Sequence, residues 1–237
     1  MPPLIALPGT LLDGRSLQAL LASAVRPGQA QHVVILGECA NLNDELDRLA
    51  AIVSQPAVWL GHSLGGIVAL QLARRYPQCV AGLLLLAANA RAGPPHGPVL
   101  WQAQWREAQA HGLATLARAK LAPGYGVDAD AALVQSLADQ AEAVGLQRFA
   151  HQLNYAGQRP GLLSPRHLLA CPLLALSGGH DALCPPAQSE EVASLSPHGR
   201  HICLTAGGHL FPMQDALWAS QKLRPFLHTF TESPPCE

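Results

Sequence analysis

The stretch VWLGHSLGGIVAL, Val58–Leu70, decides how the chain is read. An apolar run stops at Ser63, which stands between Gly61 and Gly65, and a helical pattern begins at once. Gly61-His62-Ser63-Leu64-Gly65 fits G-x-S-x-G, in which a strand reverses sharply into a helix with a serine at the apex. The reversal forces the serine into a strained backbone conformation, and the flanking glycines lie against backbone that leaves no room for a Cβ. The hydroxyl of Ser63 then projects above the sheet edge, where the helix dipole favours negative charge. The amide of Leu64 points at the oxygen that becomes anionic in a tetrahedral intermediate. The bland alternative is a small residue in a tight turn, and the strand–turn–helix context argues against it.

Outward from this point the sequence keeps one rhythm. PLIALPG (Pro3–Gly9) reads as a buried strand ending in a turn, and HVVIL (His32–Leu36) as a second strand. NLNDELDRLAAIVSQP predicts a helix capped by Asn43 and stopped by Pro56. AVWLGHS is a third strand, LGGIVALQLARRYP a helix ended by Pro77, and VAGLLLLAAN a fourth strand. These strands are apolar without alternation and are separated by helices, the pattern of a parallel sheet covered on both faces.

The rhythm breaks at Arg91. From there to Pro165 there is no convincing strand, only Ala/Leu/Gln-rich helical sequence interrupted at APGYG, which reads as a helical lid inserted after the fourth strand. Strands resume with PLLALSGGHD and RHICLTAGGH, and a last helix starts near Asp215 and is ended or kinked by Pro225. The expected division is a core of residues 1–90 and 166–237 with a lid of 91–165.

Composition narrows the partners. The 237 residues are 49% hydrophobic and 13% charged with a net charge of −1, a globular composition. No Lys/Arg cluster marks a nucleic-acid or anionic-membrane surface. The longest apolar run, Val80–Ala88, is too short to span a bilayer, and the N-terminus lacks the features of a signal peptide. Six scattered cysteines (Cys39, Cys79, Cys171, Cys184, Cys203, Cys236) argue against a zinc site or a disulfide scaffold. They fit reduced, mostly buried thiols in a cytoplasmic protein.

A serine hydroxyl needs a base. Among eleven histidines, His209 in TAGGHLFPM lies just past the last strand, at the sheet end where parallel sheets hold ligands. His62 adjoins the serine but diverges from it at a strand end, and is expected to pack or hydrogen-bond as a neighbour. An acid must orient the base, and Asp181 in LSGGHDALCPP follows the preceding strand in the same way. Asp128, Asp130 and Asp139 are rivals placed in the lid. The chain order Ser63, Asp181, His209 is the order of this hydrolase class. A second oxyanion donor is expected in LPGTLLDG, with the Thr10 amide first choice and Leu11 in reserve. For the substrate pocket the candidates are Leu11, Trp101, Trp105, Tyr125, Phe149, Gln152, Leu153 and Tyr155. His151 and Arg159, with Gln152, are candidates for a polar substrate end.

LPGTLLDG, GHSLGG, GGHDALCPP and AGGHLFP together resemble the α/β-hydrolase superfamily over nearly the whole chain. Within it the chain is similar to the small, single-lid carboxylesterases and lactonases, a group that includes biotin-pathway esterases and enol-lactonases. Three departures stand out: Pro8-Gly9 replaces His-Gly at the oxyanion loop, ILGECANLND replaces an Asp-x-Arg-Gly-His-Gly loop and makes it shorter and less constrained, and the chain begins almost at the oxyanion strand. The last implies a reduced, mostly parallel sheet of about six strands. The resemblance implies ester hydrolysis through an acyl-enzyme on Ser63, with a small-molecule ester as partner and no metal or organic cofactor. Other reactions of the same triad remain open: a lyase, a carbon–carbon hydrolase, or a cofactor-free perhydrolase. A non-catalytic binding module predicts a lost triad member, and none is lost. Haloalkane dehalogenation would need an aspartate where Ser63 stands.

Overall fold

A computed structural model of the chain describes residues 1–127, 129–164 and 168–230. Asp128, the His167 and Cys236 side chains and the expected boundary at 165/166 lie outside them.

The apolar runs form six parallel strands in the order β2-β1-β3-β4-β5-β6. They are β1 (Leu4–Leu7), β2 (Gln31–Val33), β3 (Ala57–His62), β4 (Val80–Leu86), β5 (Leu173–Gly178) and β6 (Gly199–Leu204). Side chains alternate between faces along each strand, so both faces of β3 must be apolar if both are covered. Val58 and Leu60 pack with α1 (Arg15–Ala24) and α11 (Ala216–His228), through Leu17, Leu20, Ala219 and Leu223. Ala57 and Trp59 face the opposite layer, built from α2 (Leu42–Ala51), α3 (Leu64–Arg75) and α9 (Pro186–Ala193). The strand order reverses between β1 and β3, and such a switch leaves a crevice at the carboxyl ends of the strands.

Between β4 and β5 the described chain carries helices and no strand. It comprises α4 (Gly97–His111), α5 (Leu113–Leu116), a π-helical turn (Ala117–Leu121), α6 (Ala122–Gly124), α7 (Ala131–Val144) and α8 (Leu146–Gln158). Gly112 and Gly145, both at positive φ, separate successive helices. Leu113, Leu116, Ala138, Ala141 and Phe149 form a core of their own that reaches the sheet through Leu11. A short α10 (Phe211–Gln214) precedes α11.

Four local expectations are corrected. β2 covers only Gln31–Val33 and is exposed, because it is an edge strand whose sole neighbour, β1, ends at Leu7. The cap of α2 is Asn41, whose side chain accepts from the Asp44 amide; Asn43 lies inside the helix and binds Arg75. Pro225 does not end α11, which runs on to His228. Of the five described cysteines, all free, only Cys184 is buried and Cys203 is exposed. Among the described residues no helix is long and apolar enough to cross a membrane.

Candidate active site

Four strand ends converge. Ser63 has φ 52° and ψ −117°, between β3 and α3. This conformation is unusual for a residue with a Cβ, and it holds because the surroundings permit nothing else. A Cβ on Gly65 would sit 2.0 Å from the Leu7 oxygen, and one on Gly61 2.4 Å from the Gly66 Cα. Strand, turn and helix are thus packed backbone on backbone. The Leu64 amide heads α3, where helix N–H groups lack partners within the helix.

His209 follows β6 and reaches back over the sheet. Its Nε2 is 3.0 Å from Ser63 Oγ, and its Nδ1 is 2.8 Å from Asp181 Oδ2. An ionised carboxylate only accepts, so Nδ1 donates to Asp181, and Nε2 is left to accept from the serine hydroxyl. Asp181 follows β5, and its other oxygen accepts the amides of Leu183 and Cys184. Burial alone would raise the carboxyl; the His209 bond and charge, with the two amides, outweigh it and hold Asp181 below its ordinary value. The rivals do not compete: Asp130 caps α7, and Asp139 accepts from Gln135.

His62 holds the assembly from below. Its Nε2 lies 3.0 Å from the His209 carbonyl oxygen, which only accepts, so Nε2 donates. The other nitrogen, Nδ1, is buried without a partner. Burial, reinforced by His209, pushes the His62 pKa down to about 3, and the ring is neutral. Tyr125 stacks on His209 from above, ring centroids 5.0 Å apart and 17° between planes.

A cavity of about 500 Å³ opens on Ser63 and His209, a volume suited to a small organic ligand. Thr10, Leu64, Trp101, Tyr125, Leu153 and Arg159 are among the residues that line it. Trp105 lines instead a neighbouring groove of about 280 Å³ between α4 and α8, with Trp101 and Leu153 as the shared wall. Phe149 is buried in the helical core, because its face of α8 packs on α5 and α7. The Leu11 amide is not available as the reserve donor: it binds Gln152 Oε1 at 2.9 Å. Gln152 also donates to the Leu36 carbonyl, so it ties α8 to two sheet-end loops and not to a ligand. Tyr155 hydrogen-bonds the Cys39 carbonyl and Glu45. His151 contacts the Gly37 carbonyl at 2.9 Å. The loop after β2 is therefore not loose. Buried Glu45 accepts from Gly37, Cys39 and Arg48, and Asn154 donates to Ala40.

Sequence reasoning missed Asn89 and Cys184, which meet at 3.6 Å on the cavity wall, and Lys120 on the π-helical turn. Asn89 follows β4, so the sheet-end rule that found His209 could also have found it. Nothing local marks Lys120. Among the described residues no cluster of three or more His, Cys, Asp or Glu could hold a metal.

The parallel sheet, the strained serine and its hydrogen-bonded histidine and aspartate define an α/β-hydrolase. The family described as serine aminopeptidase, S33 (Hydrolase_4) matches residues 38–210, and the chain belongs to it. The pimeloyl-[acyl-carrier protein] methyl ester esterase of Xanthomonas oryzae pv. oryzae is 29% identical, over 95% of each chain. Among solved structures, an esterase of Thermogutta terrifontis superposes with a TM-score of 0.83 at 22% identity, covering 97% of this chain and 90% of its own. The enol-lactonase of Burkholderia xenovorans LB400 does so with 0.77 at 21% identity, covering 96% and 92%. The protein is a hydrolase.

Proposed function

We propose that the chain is a serine carboxylesterase that cleaves a small alkyl ester through an acyl-enzyme on Ser63. The observation that carries this reading is the hydrogen-bonded series Ser63 Oγ, His209 Nε2, His209 Nδ1 and Asp181 Oδ2 at the floor of a cavity. The methyl ester specificity named for the Xanthomonas relative points to a small alcohol, so that most of the cavity receives the acyl part.

Ser63 Oγ attacks the ester carbonyl while its proton passes to His209 Nε2. The Leu64 and Thr10 amides hold the oxygen that becomes negative. Asp181 keeps Nδ1 protonated and stabilises the imidazolium. Collapse breaks the bond to the alkoxy oxygen, which takes the proton from Nε2 and leaves as alcohol. Water then attacks the acyl-enzyme, again losing its proton to Nε2, and the acid departs as Ser63 regains its hydrogen. No metal or organic cofactor enters. Helices α4 to α8, within residues 91–165, act as a lid that shapes the acyl pocket over the core of residues 1–90 and 166–237.

The test is intact-mass labelling with a fluorophosphonate and peptide mapping, beside a panel of methyl esters, lactones and carbon–carbon substrates. One adduct on Ser63, lost in Ser63→Ala, together with ester turnover is the expected result. Absence of an adduct on folded protein would return the chain to the binding-module reading.

A further inference from the structure

Five of the chain's thirteen arginines are paired with carboxylates. Arg15, Arg48, Arg75, Arg91 and Arg148 each meet a carboxylate: Asp13, Glu45, Asp47, Glu191 and Glu38 respectively. Arg159 is different. It follows α8, is half-buried, and lines the cavity that opens on Ser63. Its Nε donates to the Arg91 carbonyl at 3.0 Å and its Nη1 to the Ala156 carbonyl at 2.5 Å. Carbonyls fix the guanidinium in place but leave its charge unbalanced, and no carboxylate pairs with it among the described residues. Burial depresses its pKa, as expected of a cation withdrawn from water without a counter-ion. Lys120 adds a second cation to the lining, and the lining holds no Asp or Glu. Asp181 is fully occupied by His209 and two amides.

A guanidinium has five N–H groups, and with two committed to carbonyls three remain, one on Nη1 and both on Nη2, enough for a planar, bidentate acceptor. A half-buried charge of this kind costs free energy unless a ligand neutralises it. We propose that Arg159 binds a carboxylate at the far end of the acyl chain, so that the substrate is a half-ester of a dicarboxylic acid, cut at its ester end by Ser63. This rests on the esterase reading and adds the substrate class to it. The groove beyond Trp101 and Leu153 offers the amides of Gln102, Asn154 and Gln158 but no cation, so the acid end is directed to Arg159 and not along α4.

The experiment compares kcat/KM for monomethyl dicarboxylates with that for methyl alkanoates of equal length, over a series of chain lengths. At the best length the half-ester is expected to lead by about 10- to 100-fold, the scale of a charge-assisted hydrogen-bond pair. Arg159→Met should bring that ratio to about one, mainly through KM, while Arg159→Lys, which keeps the charge but loses the fork, should keep part of it. A ratio near one at every length in the wild-type enzyme overturns the proposal and leaves the esterase reading standing, since neutral esters are still cut. Absence of both turnover and a Ser63 adduct sinks the esterase reading itself. A ratio that survives Arg159→Met but is lost in Lys120→Met assigns the anion to Lys120 and also overturns the proposal. Should Arg159→Met fail to fold, inhibition of neutral-ester hydrolysis by free dicarboxylates and alkanoates decides. Stronger, salt-sensitive inhibition by dicarboxylates supports the assignment, and equal inhibition refutes it.

Discussion

The cavity has two walls of different construction. The floor is the carboxyl end of the sheet, where Gly61 and Gly65 fit only because they lack a Cβ, and where Ser63, His209 and Asp181 meet at 3.0 and 2.8 Å. The other wall comes from α4, the π-helical turn, α6 and α8, and presents Trp101, Lys120, Tyr125, Leu153 and Arg159. In the floor, position is set by backbone contacts that tolerate almost no displacement. In the helical wall it is set mostly by packing among alanines and leucines, which tolerates repacking, with Gly97 and Gly157 closing on the Trp101 ring. Chemistry needs the first kind of precision and substrate choice the second.

The largest break in this comparison should come at the floor. Ser63→Ala is expected to lower kcat by roughly 10⁴- to 10⁶-fold with the fold intact, measured by ester turnover and thermal melting. Asp181→Asn comes next, at about 10³- to 10⁴-fold, because an amide facing Nδ1 favours the wrong tautomer of His209. Trp101→Ala, in the helical wall, should cost only about tenfold and should show mainly in KM and chain-length preference. A loss at Trp101 as large as that at Asp181 would mean that the two walls do not divide the work in this way.

The floor was legible in the sequence and the helical wall was not, for a physical reason. Ser63, Asp181 and His209 each follow an apolar run that can only be a buried parallel strand, and glycines mark the turns that aim them. That information is local. Trp101 and Tyr125 were found as pocket residues, but Phe149 and Tyr155 carry the same sequence signature and face a helical core and the Glu45 loop instead. An amphipathic helix announces which face is buried, not what it is buried against. The bond from the Leu11 amide to Gln152, 141 residues apart in the chain, has no local trace. The cap at Asn41 was misplaced by two residues because two asparagines flank Leu42 and either can accept.

Glycine substitutions sharpen the contrast through stability alone. Gly65→Ala drives a Cβ to 2.0 Å from the Leu7 oxygen, so backbone must move; a loss of about 4 kcal/mol or more is expected in urea unfolding, with activity abolished. Gly145→Ala keeps open space around its Cβ, and only the positive φ is unfavourable. Its φ of 82° with ψ of 160° is a conformation almost confined to glycine, and the expected cost is about 1 to 3 kcal/mol. Equal costs at the two sites would show that the floor is less rigidly packed than its distances imply.

The smallest effect is also the most specific to the floor. His62 is buried and neutral, with its pKa held at about 3 against an ordinary value of 6.5. Above pH 6.5 neither the folded nor the unfolded chain holds a proton on this ring, and its full contribution to stability is present. Below 6.5 the unfolded chain gains the proton and the folded chain does not, so stability falls as pH drops, until the folded value near 3 is reached. The slope is at most about 1.4 kcal/mol per pH unit. His201, whose pKa burial also lowers, adds a loss of the same sign. Replacing His62 with Gln removes one titrating group while keeping a donor for the His209 carbonyl. Unfolding free energy measured from pH 7 down to pH 5 should therefore fall less steeply in His62→Gln than in the wild type. An unchanged slope would mean that the His62 ring gains its proton within the folded protein, and the bond that seats His209 over Ser63 would then have to survive a charge beneath it.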